Sequence, residues 1–165
     1  MVTFNTSKRV LFNRIINRNP EYIRPPWAID EYDFVDICRN CKACLEVCPE
    51  SIIELDSRNQ PIINFQKGEC TFCSDCVSVC ESGALSKLSN QALPWHAKVE
   101  LSEGCLAVKD ILCRSCGEVC EHRAIHFPLT AKGIVSPEIN REKCNGCGAC
   151  IAICPTQALI VRCPN

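Results

Sequence analysis

The sequence predicts an α+β protein of two tandem domains, each made of short helices and β-hairpins. Two observations lead to this fold class. The chain has 165 residues and 17 cysteines, and most of the cysteines recur at one fixed spacing, which indicates repeated units. The repeats form two halves, and a chain of this length is long enough for two small domains.

Cysteine at this density indicates either disulfides or bound metal, and the N-terminal region bears on that choice. The stretch SKRVLF carries only one of the two arginines of a twin-arginine export signal. The apolar run that a signal peptide needs is interrupted by Asn13, Arg14, Asn17 and Arg18. No window approaches the roughly 20 apolar residues of a transmembrane helix. We therefore expect a cytoplasmic protein, in which thiols stay reduced and clustered cysteines bind metal.

Three segments of the chain share the cysteine spacing C-x2-C-x2-C-x3-C. They begin at Cys38, Cys70 and Cys144 and read CRNCKACLEVC, CTFCSDCVSVC and CNGCGACIAIC. A further segment, CRSCGEVC, keeps the last three cysteines of the pattern but has no cysteine at the first position. The chain therefore contains four related runs of cysteines, one of them irregular.

A short β-like run follows each cysteine run. It opens on an apolar pair four and five positions after the last cysteine: Ile52-Ile53, Ala84-Leu85, Ala124-Ile125 and Ala158-Leu159. SIIEL and PIINF flank the turn-forming DSRNQ, and AIHF and GIVSPEI flank PLTAK, which predicts one β-hairpin in each half. With NQALPW as the linker, we predict an N-terminal arm over residues 1–33, a first domain over residues 34–92 and a second domain over residues 93–165.

The cysteine spacing distinguishes iron–sulfur clusters from zinc. A structural zinc site is tetrahedral and typically joins two separated C-x2-C pairs. The spacing found here is the bacterial ferredoxin run, whose fourth cysteine ligates the other cluster of a pair. Pro49 and Pro155 complete the signature after the first and last runs. We therefore predict four 4Fe–4S clusters in two tandem ferredoxin-like domains, with one-electron transfer as their chemistry.

Exchange of the fourth cysteine between paired runs assigns the ligands. The predicted ligands of cluster 1 are Cys38, Cys41, Cys44 and Cys80. Those of cluster 2 are Cys70, Cys73, Cys76 and Cys48. Those of cluster 4 are Cys144, Cys147, Cys150 and Cys120. Cluster 3 is left with Cys113, Cys116 and Cys154, and its nearest candidate for a fourth thiolate is Cys105, with LAVKDIL as an enlarged loop.

The remaining cysteine and the histidines are not expected to bind metal. Cys163, near the C-terminus, is interpreted as a bystander thiol. Cys120 and His122 have the spacing of half a Rieske box, but no C-x2-H segment supplies the other half. We expect all the histidines, which are His96, His122 and His126, at the surface or in turns.

The clusters change the charge and stability expected of the chain. Its formal net charge is −1, and each oxidised cluster with its thiolates adds about −2, so that the loaded protein is markedly acidic. Few large apolar side chains are available to each repeat. We therefore expect the clusters to take the place of a hydrophobic core, and the chain without metal to be largely unfolded.

The runs and one upstream element together resemble a known family. Arg24-Pro25-Pro26-Trp27, the four runs and CNGCGAC are similar to the NapF family of ferredoxin-type accessory proteins, and the resemblance covers nearly the whole chain. The cysteine runs are typical of polyferredoxins in general, and the enlarged third run and the RPPW element restrict the resemblance to this family. The resemblance implies a cytoplasmic iron–sulfur protein that binds the catalytic subunit of the periplasmic nitrate reductase before export and assists its maturation.

Two other functions are consistent with the spacing. One is an electron-relay subunit of a membrane-associated quinol or other oxidoreductase complex, and the other is a stand-alone electron donor. An enzyme with a small-molecule substrate is disfavoured, because the sequence shows no phosphate-binding glycine loop and no nucleophile–base pair. Nucleic acid is not an expected partner either.

The N-terminal arm contains an amphipathic pattern. Leu11, Phe12, Ile15 and Ile16 recur at helical spacing, and basic residues occupy much of the rest of the turn. A helix of about three turns is marginal alone, so the pattern favours a short helix packed on the first domain. Binding of a partner or a membrane surface is the alternative.

Overall fold

The computed structural model of the protein describes residues 22–87, 94–95, 97–128 and 136–162. The amphipathic helix predicted for the arm, His96 and Cys163 lie outside these residues. Among the residues described, no helix is long and apolar enough to cross a membrane.

The first half of the chain places three short helices around one β-hairpin. Its elements are helix α1 (Glu31–Ile37), helix α2 (Ala43–Glu46), strand β1 (Ile53–Leu55), strand β2 (Pro61–Ile63) and helix α3 (Asp75–Ser78). The two strands are antiparallel, with Ile53 opposite Ile63. Helix α1 begins after Asp30, whose side chain accepts a hydrogen bond from the Tyr32 N–H at 3.0 Å. This is the usual way to satisfy a free N–H at a helix start.

The second half repeats this arrangement and adds a second pair of strands. Its elements are strand β3 (Lys98–Leu101), a 3-10 helix (Ala107–Lys109), helix α4 (Ser115–Glu118), strand β4 (Ile125–His126), strand β5 (Glu138–Ile139), helix α5 (Ala149–Ala152) and strand β6 (Leu159–Arg162). Strands β4 and β5 form the hairpin. Strands β3 and β6 pair antiparallel, with Leu101 opposite Leu159. The beginning and end of this half are therefore held together by a sheet.

The α+β class and the hairpin in each half are confirmed. The β-run predicted after the second cysteine run is reduced to a single bridge between Leu85 and Ala28. Pro25 and Pro26 precede Ala28, and proline has no N–H for a strand ladder. This accounts for the short pairing. Strand β3 was not indicated by the cysteine pattern.

The four repeats share one backbone turn. Three residues after the last cysteine of each run, the backbone has a positive φ, at Ser51 (53°), Gly83 (77°), Arg123 (47°) and Gln157 (51°). The N–H of each of these residues donates to the carbonyl of that last cysteine, at 2.9 to 3.2 Å. A residue in the left-handed region after a helical turn reverses the chain. The turn therefore directs each chain segment from its cysteine run toward the β-run.

One apolar core includes residues of both halves. Phe34, Ile52 and Leu85 from the first half belong to the same cluster of buried side chains as Val99 and Leu159 from the second. Continuous packing of this kind holds two domains in a defined arrangement, since the burial of apolar surface is the main favourable contribution to folding.

Arg24 joins the segment before α1 to the first hairpin. Its buried guanidinium donates to both carboxylate oxygens of Glu31, at 2.9 and 2.7 Å, and to Asp56 at 3.3 Å. It also donates to the Pro61 carbonyl at 3.1 Å, and it lies 4.9 Å from the ring centroid of Phe34. The arginine of the RPPW element is therefore a structural clamp on the first domain.

The Asp56 side chain is fully buried, so its negative charge needs the positive charge of Arg24 beside it. Burial by itself raises the pKa of Asp56, but hydrogen bonds from the N–H groups of Gln60 and Arg58 and the charge of Arg24 bring it below the ordinary value. That ordinary value is about 3.9. The stabilisation is therefore present above this pH and is lost as the pH falls through the lower pKa of the folded state.

We predict that Arg24→Ala destabilises the protein by about 3–5 kcal/mol, because it leaves the carboxylate of Asp56 buried without a cation. The measurement is urea unfolding of the cluster-loaded protein, followed by circular dichroism and by the visible absorbance of the clusters. The matched control is Arg141→Ala. Arg141 is 68% exposed and pairs with Glu100 at 2.9 Å, and an exposed pair contributes about 0–1 kcal/mol. Equal losses in the two variants would contradict the role of Arg24.

Candidate iron–sulfur sites

The described residues include 16 of the 17 cysteines, and all sixteen are free thiols. They surround four cavities. Four cysteines line each cavity.

The quartets that line the cavities are those assigned from the spacing. Site 1 is lined by Cys38, Cys41, Cys44 and Cys80. Site 2 is lined by Cys48, Cys70, Cys73 and Cys76. Site 3 is lined by Cys105, Cys113, Cys116 and Cys154. Site 4 is lined by Cys120, Cys144, Cys147 and Cys150.

Each quartet draws its fourth thiol from the paired run because the short helices of paired runs pack together. Helix α2 contacts α3, and α4 contacts α5. Each helix carries the third cysteine of its run, and these four thiols are buried: Cys44, Cys76, Cys116 and Cys150. The fourth cysteine of the run lies beyond the end of the helix, where it lines the neighbouring cavity.

Cys105 enters site 3 through a loop that the other runs lack. Residues 106–112 separate it from Cys113, and they contain the 3-10 helix. Cys105 is buried, and it packs in a small cluster with Ala107 and Ala158. Three apolar side chains of the loop, Val108, Ile111 and Leu112, are exposed, and Leu112 is 81% exposed. The loop thus restores a fourth thiol to the irregular run.

Burial raises the pKa of several of these thiols. It is the largest cause of a pKa of about 12 at Cys44, Cys70 and Cys150 and of about 11 at Cys76 and Cys116. Neighbouring thiols raise these values further through their charge. Without metal, such thiols are protonated at neutral pH. Ligation requires the thiolate, so assembly must release protons.

Cys154 differs from the other thiols of the sites. Burial raises its pKa, but the N–H groups of Ala158, Thr156 and Leu159 and the Thr156 hydroxyl donate to its sulfur and bring the pKa below the ordinary value. A sulfur that already accepts hydrogen bonds favours its ionised form. This thiol therefore loses its proton more readily than the buried thiols do.

The quartets fit a cluster of several atoms. In the described part of the chain, no three His, Cys, Asp or Glu side chains converge closely enough for a single metal ion. The sulfurs of each quartet are instead distributed around a cavity. Sulfur-only donors around an otherwise largely apolar cavity suit iron–sulfur clusters, since such clusters are held by cysteine thiolates. The ligand assignment stays a prediction, which this geometry supports.

The two halves meet at the cysteine loops of sites 2 and 4. The N–H of Cys70 donates to the carbonyl of Cys147 at 2.8 Å. Phe65, which follows strand β2, packs directly on Gly148, where even a methyl group would overlap the ring. Gly148 also has a φ of +87°, so glycine satisfies two requirements at once. Sites 2 and 4 are therefore adjacent across the junction, and sites 1 and 3 lie away from it.

Aromatic side chains cover this junction. Trp95 donates through Nε1 to the Asn145 carbonyl at 2.9 Å. Its ring centroid lies 5.5 Å from that of Phe72 and 5.8 Å from that of Phe65, both edge to face. Phe72 in turn contacts Trp27, at 6.5 Å. Such ring pairs add to the stability that area burial alone provides.

Sequence reasoning did not find the residues of this junction. The glycines of CNGCGAC were a signal that could have found them, because glycine often marks a close approach of another backbone or ring. The histidines that the structure describes are exposed, as expected. His122 lies 2.7 Å from the Asn145 side chain, and His126 lies 2.9 Å from Glu138.

Comparison with known proteins gives matches along most of the chain. The 4Fe-4S dicluster domain family matches residues 37–84 and 111–158. Two proteins named ferredoxin-type protein NapF are 39% identical to this chain. The one from Escherichia coli K12 aligns over 137 residues, 83% of this chain and 82% of its own. The one from Haemophilus influenzae aligns over 140 residues, 85% of this chain and 78% of its own.

A second kind of relative is also similar. The methylamine utilization ferredoxin-type protein MauM of Methylorubrum extorquens is 31% identical over 160 residues, which are 85% of this chain and 71% of its own. The second dicluster match begins at residue 111, so that Cys105 precedes it. Two dicluster domains and sixteen cysteines fit four 4Fe–4S clusters.

We predict that anaerobic reconstitution yields roughly 16 iron atoms per chain, from four clusters. Assembly should proceed further at mildly alkaline than at mildly acidic pH, because it requires the buried thiols to lose their protons. Removal of the iron should abolish most of the helical circular dichroism, since helices of a single turn are not stable alone. Iron analysis and circular dichroism test these outcomes. Saturation near half of this iron content, or binding of zinc in place of iron, would contradict them.

We predict that Cys105→Ser loses or destabilises one cluster. The expected product is a three-iron species in site 3, which electron paramagnetic resonance (EPR) detects in the oxidised protein. The matched control is Cys163→Ser, which should keep the full iron content because Cys163 belongs to none of the quartets. If both variants retain the iron and the spectrum of the parent protein, Cys105 is not a ligand.

Proposed function

The chain belongs to the NapF family of ferredoxin-type proteins, and we propose that it transfers single electrons through four 4Fe–4S clusters bound at sites 1 to 4. The observation that carries this proposal is the placement of one complete cysteine quartet around each of the four cavities. When bound, the clusters supply one-electron redox chemistry. The chain itself supplies the thiolates, the hydrogen bonds to sulfur and the exclusion of water.

The geometry supports a relay rather than four independent carriers. The cysteine loops of sites 2 and 4 are in contact through Cys70 and Cys147, and paired runs contribute thiols to both sites of each half. The sites therefore follow one another in the order 1, 2, 4 and 3. An electron accepted at one end has a continuous route to the other.

We propose that the partner is the catalytic subunit of the periplasmic nitrate reductase, bound in the cytoplasm before export and assisted in its maturation. Membership of the NapF family supports this role. The proposed boundaries are an arm over residues 1–33 and domains over residues 34–92 and 93–165. Residues 22–33 pack on the first domain through Arg24 and Trp27, which leaves the earlier part of the arm as the segment to test for partner binding.

The alternative is an electron-relay subunit of a membrane-associated quinol or other oxidoreductase complex. The similarity to MauM favours keeping this second candidate, because the MauM name refers to methylamine utilization and not to a nitrate reductase. The same series of four sites would serve either partner. The two candidates differ in the protein that is bound and in the stage at which it is bound.

We predict that an affinity-tagged form of the chain captures the unexported catalytic subunit from a strain that retains it in the cytoplasm. Loss of the chain should lower the cluster-loaded, active fraction of the exported reductase, measured as iron and activity per subunit. A simple electron donor would leave that fraction intact and slow only turnover. Recovery of a membrane quinol-oxidising complex without the reductase subunit would favour the alternative.

The capture is repeated with residues 1–19 deleted and, as a control, with Arg141→Ala in the full chain. Arg141 lies on the exposed surface of the second half. Loss of the partner only on deletion would identify the arm as the docking segment. Retention in both forms would place docking on the ferredoxin domains.

A further inference from the structure

The sulfurs of the four sites do not receive the same hydrogen bonds. At site 1, Cys80 Sγ lies 3.6 Å from the Ser82 hydroxyl and accepts from the Leu85 N–H at 3.3 Å. The contact of Cys38 runs the other way: its Sγ–H donates to the side-chain oxygen of Asn40 at 3.6 Å, and it counts for nothing once the sulfur has lost its proton. A sulfur bound to iron has no proton, so in the loaded protein the hydroxyl must donate to the sulfur.

Site 3 has a hydroxyl contact at the equivalent position of its own last cysteine. Cys154 Sγ lies 3.8 Å from the Thr156 hydroxyl and accepts from the Ala158 N–H at 3.2 Å. Cys113 Sγ lies 4.0 Å from the Ser115 hydroxyl. Ser82 and Thr156 both stand two residues after the last cysteine of their runs. The hydroxyl is therefore a repeated feature of the two sites that lie away from the junction.

Among the described residues, no side-chain donor of this kind reaches a sulfur at the two sites by the junction. Glu50 and His122 occupy the positions equivalent to Ser82 and Thr156. In the described part of the chain, the donors to the sulfurs of sites 2 and 4 are backbone N–H groups: that of Ala124 to Cys120 at 3.3 Å, that of Phe72 to Cys70 and that of Ala149 to Cys147. Hydroxyl groups therefore contact sulfurs at sites 1 and 3, the outer sites, whereas at sites 2 and 4, the inner sites, the described donors are backbone N–H groups.

The charged residues that line the cavities also differ between the outer and the inner sites. Arg39 and Lys42 line site 1, whereas Glu50 lines site 2 and Glu121 lines site 4. Only uncharged residues line site 3 in the described part of the chain. Reduction adds one negative charge to a cluster, so a nearby cation favours the reduced state and a nearby carboxylate opposes it.

We propose that clusters at the outer sites 1 and 3 have higher reduction potentials than those at the inner sites 2 and 4, with site 1 the highest. Hydrogen bonds to the sulfurs and local charge are two of the factors that set these potentials, and here both act in the same direction. Ser82 and Lys42 raise the potential at site 1, and Thr156 raises it at site 3. The inference rests on the proposed ligand sets and electron-transfer function.

In this order of potentials, an added electron has a lower energy at the outer sites than at the inner sites between them. With clusters held by the four quartets, an added electron would be more stable at site 1 than at sites 2 and 4. The exposed side chains of Arg39 and Lys42 lie beside site 1.

The test is a potentiometric titration of the isolated, cluster-loaded protein, followed by EPR. Ser82→Ala and Lys42→Gln should each move the wave of highest potential to a more negative value, with unchanged iron content. The variant Cys41→Ser, which removes a thiol of site 1, should abolish or alter the same wave and so identify it. In added salt the shift caused by Lys42→Gln should shrink, because exposed charges are screened, while that of Ser82→Ala should remain.

The matched control for the hydroxyl is Ser78→Ala. Ser78 lies on helix α3, which carries Cys76 of site 2, but its hydroxyl donates to the Asp75 carbonyl at 2.7 Å instead of to a sulfur. This variant should leave every wave in place. Equal shifts in Ser78→Ala and Ser82→Ala, or no shift in Ser82→Ala and Lys42→Gln, would overturn the proposal. If Ser82→Ala loses iron, Ser82→Thr and Arg39→Gln are compared. The proposal then requires a retained wave in the first and a negative shift in the second.

Variants at site 3 test the proposal independently of those at site 1. Thr156→Ala should lower the second-highest wave, and Thr156→Ser should restore it because the hydroxyl is kept. A shift of the lowest waves instead would contradict the assignment. These measurements need no partner protein. Failure of the predicted order would leave the capture of the nitrate reductase subunit unaffected, and failure of the capture would leave the order of potentials unaffected.

Discussion

The exchange of thiols between paired runs is the constraint on which the rest of the structure depends. Each cavity takes three cysteines from one run and one from another, or, at site 3, two from the run, Cys105 and Cys154. No run completes a site by itself. The four-residue helices are too short to be stable alone, so a metal centre that needs both runs of a pair also fixes the packing of their helices. Folding and metal binding are coupled for this reason.

The close approach of other segments explains the two glycines of the last run. The positions of Gly146 and Gly148 hold Asn40 and Lys42 in the first run, and all four residues have a positive φ. The backbone shape therefore does not by itself require glycine there. At Gly148 the ring of Phe65 occupies the space of a side chain, and at Gly146 the carbonyl of Ala97 does so. The glycines are needed because the other half and the linker side of the chain approach this loop closely.

Buried and exposed cations have different roles in this protein. Arg24 is buried against Asp56 and Glu31 and fixes the segment before the first run, while Arg39 and Lys42 stay exposed beside a cysteine quartet. A buried cation of this kind serves the structure, because its removal leaves a carboxylate without a partner. An exposed cation beside a cluster acts on the equilibrium between oxidised and reduced forms, and its effect depends on ionic strength.

The sequence by itself determined the α+β class, the number of cysteine runs, the hairpin of each half and the quartets that the structure gathers around its cavities. The backbone turn sets the positions of cysteines a few residues apart, and the exchange of the fourth cysteine is a property of the bacterial ferredoxin run that this spacing identifies. Only the tertiary structure decided the pairing of β3 with β6, the role of Arg24 and the contact of Cys70 with Cys147. These contacts join residues that are far apart in the chain, and composition and periodicity do not encode which distant surfaces meet. The packing of the two halves therefore decided which sites are inner and which are outer.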